Sequence, residues 1–256
     1  MTERLDILRN AGCDPQDTRE TTDTLFEGKL TLHQSRVGYR FSLDAVLLAH
    51  FVEPRPGDVL VDLGAGNGVI ALILAYLHRS LKITAIELQP SLVEYARKNV
   101  RLNRLHDRVE ILSGDVRAVE VLAKVASYDR VVCNPPFRKP SSGRVSPDEE
   151  KRIARHEIFG TVDDFLRAGL HLLAVKGRMA LIYPAVRSVD LMDSMRKAGI
   201  EPKRLRTVHS YAGAEASLVL MEGVKAGRSG IQVMTPLIVY ATGKRYSAEV
   251  ARMLTG

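Results

Sequence analysis

Tryptophan is missing from this chain and cysteine nearly so, with Cys13 and Cys133 the only two among 256 residues. Two thiols so far apart build neither a disulfide framework nor a zinc cluster, so no metal is expected and a reducing compartment fits. The lack of tryptophan excludes nothing. Long apolar runs are lacking too. The longest, Val69 to Leu77, falls far short of the roughly 20 residues a membrane-spanning helix needs, and the charged start, Met1-Thr-Glu-Arg-Leu-Asp6, has no apolar signal core. A cytoplasmic protein with no membrane partner is expected. What is there is ordinary for a globular chain, 45% hydrophobic and 26% charged. Lys and Arg exceed Asp and Glu by 37 to 30, a net charge of +7 that favours polyanionic partners. A solvated basic surface is the plainer alternative.

Residues 1–24 are polar and show no sustained apolar period, which reads as a loose arm. A single domain is expected over 25–242, followed by a tail over 243–256. Leu30 to Gln34 and Tyr39 to Phe41 read as short strands or turns, and Ser42 is placed to cap a helix over Leu43 to Phe51. From Val59 onward, strand and helix alternate. Strands are expected at 59–63, 82–87, 108–112 and 128–133, with helices at 69–77 and 91–102, the second capped by Ser91. A loop rich in Lys, Arg, Ser, Gly and Pro runs from Arg138 to about Arg155. A helix over 163–174, a strand over 178–183, a helix over 189–198 and β-type segments at 204–209, 216–222 and 237–240 close the chain. Such alternation implies an α/β fold, a Rossmann-like, mostly parallel sheet with helices on both faces. The short turn over 212–215 makes at least one late strand antiparallel. That suits a seven-stranded sheet with an antiparallel last strand better than an ordinary dinucleotide fold.

The first βα turn, Asp62-Leu63-Gly64-Ala65-Gly66-Asn67-Gly68, is where the backbone of such a sheet approaches a ligand. Glycines allow both the tight turn and the close approach. Glu87, about 20 residues on at the next strand end, can accept hydrogen bonds from both hydroxyls of a ribose. This pattern serves nicotinamide dinucleotides and S-adenosylmethionine alike, although the tight spacing Gly64-x-Gly66-x-Gly68 leans to the latter. Asp115, after the third strand, can receive an adenine amino group, and capping of the next helix is the competing reading.

Asn134-Pro135-Pro136-Phe137 closes the fourth strand. An exocyclic amino group is a poor nucleophile because its lone pair is delocalised into the neighbouring π system. The Asn134 side-chain oxygen and the Pro135 carbonyl can each accept one of its hydrogens, which favours the pyramidal form whose lone pair is free to attack. Prolines hold those acceptors rigid, and Phe137 offers a flat face to a planar base.

These residues resemble the class I S-adenosylmethionine-dependent N-methyltransferases that carry an Asn-Pro-Pro-aromatic motif. Within them they resemble the bacterial tRNA adenine-N6-methyltransferases acting on valine tRNA, a group that also holds members described as predicted O-methyltransferases. Gly38 to Ala49 is similar to that group's N-terminal signature, Ala154 to Glu157 to its segment after the loop, and Thr235 to Tyr240 to its ending. The resemblance implies S-adenosylmethionine held by Asp62, Gly64, Gly66, Gly68, Glu87, Asp115 and Asn134, with Phe41 and Asp44 closing over it. It implies an adenine beside the anticodon of a tRNA as substrate. The same tetrapeptide occurs in methylases of glutamine side chains and of guanine N2 in ribosomal RNA, so these acceptors remain alternatives, as does O-methylation of a small molecule. The fourth residue here is Phe where Tyr is common. Arg138, Lys139, Arg144, Lys151, Arg152 and Arg155 follow the tetrapeptide directly and are candidate phosphate contacts, with a solvated loop as the rival. His156 is a candidate substrate contact, and Lys203, Arg204 and Arg206 would extend the basic strip.

Overall fold

A computed structural model of the chain describes residues 20–36, 41–123, 126–136 and 160–255. Two strands, β1 (Glu20–Leu25) and β2 (Leu30–Ser35), form an antiparallel hairpin. Helix α1 (Leu43–Phe51) leads into β3 (Val59–Leu63), α2 (Val69–Leu77), β4 (Lys82–Glu87), α3 (Pro90–Leu102), β5 (Val109–Ser113) and β6 (Tyr128–Cys133). Then follow α4 (Val162–Leu172), β7 (Leu173–Pro184), α5 (Ser188–Lys197), β8 (Ile200–His209) and β9 (Ala216–Lys225). The short strands β10 (Gln232–Val233), β11 (Leu237–Ile238), β12 (Tyr240–Thr242) and β13 (Arg245–Tyr246) precede a last helix, α6 (Ala248–Thr255).

The main sheet runs β5-β4-β3-β6-β7-β9-β8, with β10 and β11 added to the outer edge of β8. Only β9 opposes its neighbours, pairing antiparallel with both β7 and β8. The turn between β8 and β9 is too short for a crossover, so β9 folds straight back and inserts beside β7. The expected seven-stranded sheet, mostly parallel with an antiparallel last strand, is therefore present, widened by two dipeptide strands.

Helices cover both faces, so the strands are apolar on both. Along β7 the side chains alternate between two cores: Met179, Leu181 and Tyr183 pack with Phe165, Leu191 and Met195 of α4 and α5, whereas Ala180 and Ile182 pack on the opposite face with α1 and α2. Helix α2 is buried nearly all round, which explains why its sequence is a continuous apolar run. No helix among the described residues is long and apolar enough to cross a membrane.

Both ends of the expected domain need correction. The arm over 1–24 gives way at Glu20, where β1 begins; residues 1–19 lie outside the described residues. The tail over 243–256 is β13 and α6, and α6 buries Val250 against the core. The Phe26 N–H donates to the Leu254 carbonyl at 3.0 Å, and a ring nitrogen of His50 lies 2.8 Å from the Met253 carbonyl. An eight-residue helix is marginal by itself, so its local pattern carries little sign of an element that tertiary contacts sustain. The caps differ as well. Ser42 stands at the N-cap of α1 without a side-chain hydrogen bond, and α3 starts at Pro90 behind Gln89 rather than at Ser91.

At the amino edge of the sheet, Glu222 of β9 is only 1% exposed and is surrounded by cations. Its carboxylate accepts from Arg178 at 2.6 Å and from Arg130 at 3.4 Å, with Arg204 at 3.6 Å, while Arg130 also donates to Asp58 at 2.8 Å. Removing this acid leaves Arg178 without an acidic partner among the described residues and leaves the buried Arg130 with Asp58 alone. Glu222→Gln is expected to lower the unfolding free energy by about 3 kcal/mol, measured as a shifted urea midpoint at constant m-value.

Candidate active site

Four parallel strands end side by side at one edge: Leu63 is paired with Ile86 on one side and Cys133 on the other, and Glu87 is paired with Ser113. The glycine turn, Glu87, Asp115 and Asn134 therefore leave the sheet together, as their sequence positions imply. Glu87 binds this edge into one unit. Its Oε2 accepts the Gly66 N–H at 2.8 Å and its Oε1 the Gln89 N–H at 2.8 Å. Its backbone carbonyl accepts the Gly114 N–H at 2.9 Å, and the Ile86 carbonyl before it accepts both Gly64 and Ala65. Each carboxylate oxygen keeps a lone pair for a further donor, so the side chain can still receive a diol.

Gly64, Gly66 and Gly68 have φ of 69°, 59° and 85°, the left-handed region that favours glycine. Gly64 has a second constraint, because a Cβ there would stand 2.9 Å from the Phe165 ring. That ring is delivered by α4, which begins with a capping box: Thr161 Oγ1 accepts from the Asp164 N–H at 3.3 Å and Asp164 accepts from the Thr161 N–H at 2.7 Å.

Asp62, expected among the cofactor contacts, stands near the end of β3. It is wholly buried behind the turn, and neither carboxylate oxygen has a full hydrogen bond to a described residue. Burial pushes its pKa up to about 7, the Ala71 amide offsetting this only in part and the nearby Glu87 charge adding to it. Burial also pushes the neighbouring Cys133 thiol far up, which leaves it inert as a nucleophile.

Asp115 shows the capping geometry that competed with a cofactor role. It accepts the Arg117 N–H at 2.8 Å and the Arg117 guanidinium at 2.6 Å at the start of a 3-10 turn over Val116–Val121. The hydrogen bond from Arg117 holds its carboxyl below the usual range. At the end of β6, Asn134 and Pro136 are partly exposed and Pro135 is buried, and no hydrogen bond ties the Asn134 side chain to another described residue. Phe137, Arg138, Lys139, Arg144, Lys151, Arg152, Arg155 and His156 lie outside the described residues.

The further basic strip does not stand free. Lys203 Nζ donates to the carbonyls of Arg228, Ser229 and Gly230, the last at 2.6 Å. Arg204 reaches Glu53 at 2.8 Å and lies over the Phe51 ring, and Arg206 bonds Glu249 and the Thr235 carbonyl. These cations serve the fold.

Sequence reasoning missed Gln34, Asn67 and Asn99, three buried amides that tie the N-terminal hairpin to the glycine turn. Asn99 Nδ2 donates to the Asn67 carbonyl at 3.1 Å and the His33 carbonyl at 3.0 Å, and its Oδ1 accepts the His33 N–H at 2.7 Å. One turn on, Asn103 repeats the pairing with Thr31. The signal was present: Leu30, Leu32 and Gln34 share the inward face of β2, so a polar residue stands among apolar ones. Phe41 is buried and its N–H donates to Gln34 Oε1 at 3.2 Å, which brings the start of the Phe41 to Asp44 segment to the turn.

A parallel α/β sheet with β9 inserted antiparallel, a glycine turn and an acid at the second strand end together define a methyltransferase architecture. The chain belongs to the methyltransferase small domain family, whose model matches residues 43–195. It is a methyltransferase, 30% identical over 240 residues to the tRNA1(Val) (adenine(37)-N6)-methyltransferase of Porphyromonas gingivalis, covering 91% of this chain and 93% of that one. Among solved structures, the predicted O-methyltransferase Atu636 of Agrobacterium tumefaciens shares the fold at TM-score 0.68 and 22% identity, over 82% of this chain and 94% of that one. M. jannaschii TYW2 in complex with AdoMet shares it at TM-score 0.57 and 18% identity, over 83% and 88%.

The raised pKa of Asp62 sets a pH dependence. The folded chain holds this proton more tightly than the unfolded chain, whose Asp ionises near 3.8. The stabilisation is therefore present below that value and is lost as pH rises to about 7. The stability of the wild type minus that of Asp62→Asn is expected to fall by about 4 kcal/mol from about pH 4 to about pH 8, measured by urea unfolding across that range.

Proposed function

We propose that the chain transfers a methyl group from S-adenosylmethionine to N6 of an adenine beside the anticodon of a tRNA. The observation that carries this reading is the placement of Asn134-Pro135-Pro136 at the end of β6, directly beside the glycine turn after β3. The residues at the edge fit such a cofactor: a turn whose three glycines at positive φ present backbone rather than side chains, and a carboxylate at Glu87 with lone pairs to spare. S-adenosylmethionine supplies an electrophilic methyl group on a sulfonium.

Glu87 would hold the ribose hydroxyls, and the Gly64 to Gly68 backbone would let the ligand lie close against the sheet edge. Asn134 Oδ1 and the Pro135 carbonyl would accept the two hydrogens of the adenine amino group and free its lone pair for attack. Neutral acceptors suffice, because the N–H becomes acidic only as the new bond forms. The stiffness of two consecutive prolines keeps both acceptors in place without reorganisation. Phe137 stacks on the base, and the basic residues 138–155 contact phosphates. The name of the Porphyromonas gingivalis relative supports adenine N6 as acceptor, and the AdoMet complex of M. jannaschii TYW2 supports the cofactor.

Labelled S-adenosylmethionine incubated with the protein and total RNA, followed by digestion to nucleosides, tests the reading. N6-methyladenosine in the tRNA fraction is expected; label in protein, or in another nucleoside, overturns it. Asn134→Ala is expected to lower transfer at least about 100-fold while affinity for S-adenosylmethionine stays within about threefold, checked by single-turnover kinetics beside calorimetry.

A further inference from the structure

Gln34 is 2% exposed, and every polar atom of its side chain is engaged. Its Oε1 accepts two donors from different parts of the site, the Phe41 N–H at 3.2 Å and Asn67 Nδ2 at 3.3 Å. Its Nε2 donates to the Asp23 carboxylate of β1. One carbonyl oxygen thus joins the segment that starts at Phe41 to the only side chain within Gly66-Asn67-Gly68, and the paired strand holds that oxygen in place. Asn67 is gripped from the other side as well, since its carbonyl accepts from Asn99. Its own Oδ1 is buried without a partner, so its amide is held by the donor end alone.

For stability alone the inward face of β2 would do better with a third leucine, because a buried amide must be fully hydrogen-bonded merely to recover its desolvation. What an apolar residue lacks is direction. A shared hydrogen-bonded oxygen ties Phe41 to Asn67, and Asn67 stands between two glycines of the cofactor turn.

We infer that Gln34 is a positioning residue for the cofactor half of the site, coupling the β1–β2 hairpin to the glycine turn. This rests on S-adenosylmethionine being the ligand. Because Gln34 touches neither the acceptor nor Asn134, its loss acts on cofactor binding and leaves methyl transfer at saturation intact.

The test compares the full-length wild type with Gln34→Met, Gln34→Glu and the double variant Gln34→Glu with Asp23→Asn, by calorimetry with S-adenosylmethionine, steady-state kinetics and urea unfolding. In Gln34→Glu two carboxylates face each other. In the double variant the amide introduced at position 23 donates to the carboxylate introduced at position 34, whose other oxygen still accepts from Phe41 and Asn67. Both single variants are expected to raise Kd and KM for S-adenosylmethionine about tenfold or more, with kcat at saturating cofactor within about twofold and KM for RNA unchanged. The double variant is expected to recover affinity to within about threefold of the wild type. Unchanged affinity in the folded single variants overturns the inference. So does a loss confined to unfolding, or a double variant as weak as Gln34→Glu. Should Gln34→Met fail to fold, the carboxylate pair decides alone. A wild type that does not bind S-adenosylmethionine refutes the proposed function instead, so the two failures are distinct.

Discussion

The Glu87 carboxylate is the joint on which the site depends. A carboxylate at a strand end is ordinarily free to point into solvent, but here both of its oxygens accept backbone N–H groups, one from the turn after β3 and one from the start of α3. Its carbonyl takes a third, from the turn after β5. Three consecutive strand ends are thereby fixed to one residue before any ligand arrives. Preorganisation of this kind moves the entropic cost of assembling the site from binding to folding. It also explains how a turn of three left-handed glycines, which loses much conformational freedom on folding, keeps a single shape.

Around that joint the protein uses neutral amides rather than charges. Asn99 and Asn103 lie one turn apart on α3 and pair with the backbone of β2 as a neighbouring strand would, so the hairpin docks on a helix through sheet-like hydrogen bonds. Gln34 extends this belt to Phe41 and the turn. Amides suit a place beside a cationic cofactor, since they hold direction without adding a fixed charge. Asp62, buried without a full partner, is the one acid set behind the turn.

The charged residues divide by place. At the amino edge of the sheet, away from the site, arginines converge on Glu222, and along β8 cations are consumed by Glu53, Glu249 and backbone carbonyls. These cations are engaged within the fold rather than held out to a partner. What the described residues leave to an acceptor is the carboxyl edge of the sheet, where Asn134 stands beside the glycine turn.

The alternation of strands and helices, the glycine turn, Glu87 and the Asn-Pro-Pro sequence were all legible in the chain, because each is a local pattern whose meaning depends on neighbours within a few residues. The reversal of one late strand followed from the shortness of a single turn. The first strand at Glu20, the helix at Ala248 and the partners of Gln34, Asn67 and Asn99 were not legible. Their polar or short segments also depend on distant partners, as Gln34 does on Asn67 and His50 on Met253. Likewise the sequence offered Arg204 and Arg206 as a basic surface. Tertiary structure decided otherwise, since whether a charge meets solvent, a ligand or a buried counter-charge is set by what packs in front of it, and no local pattern records that.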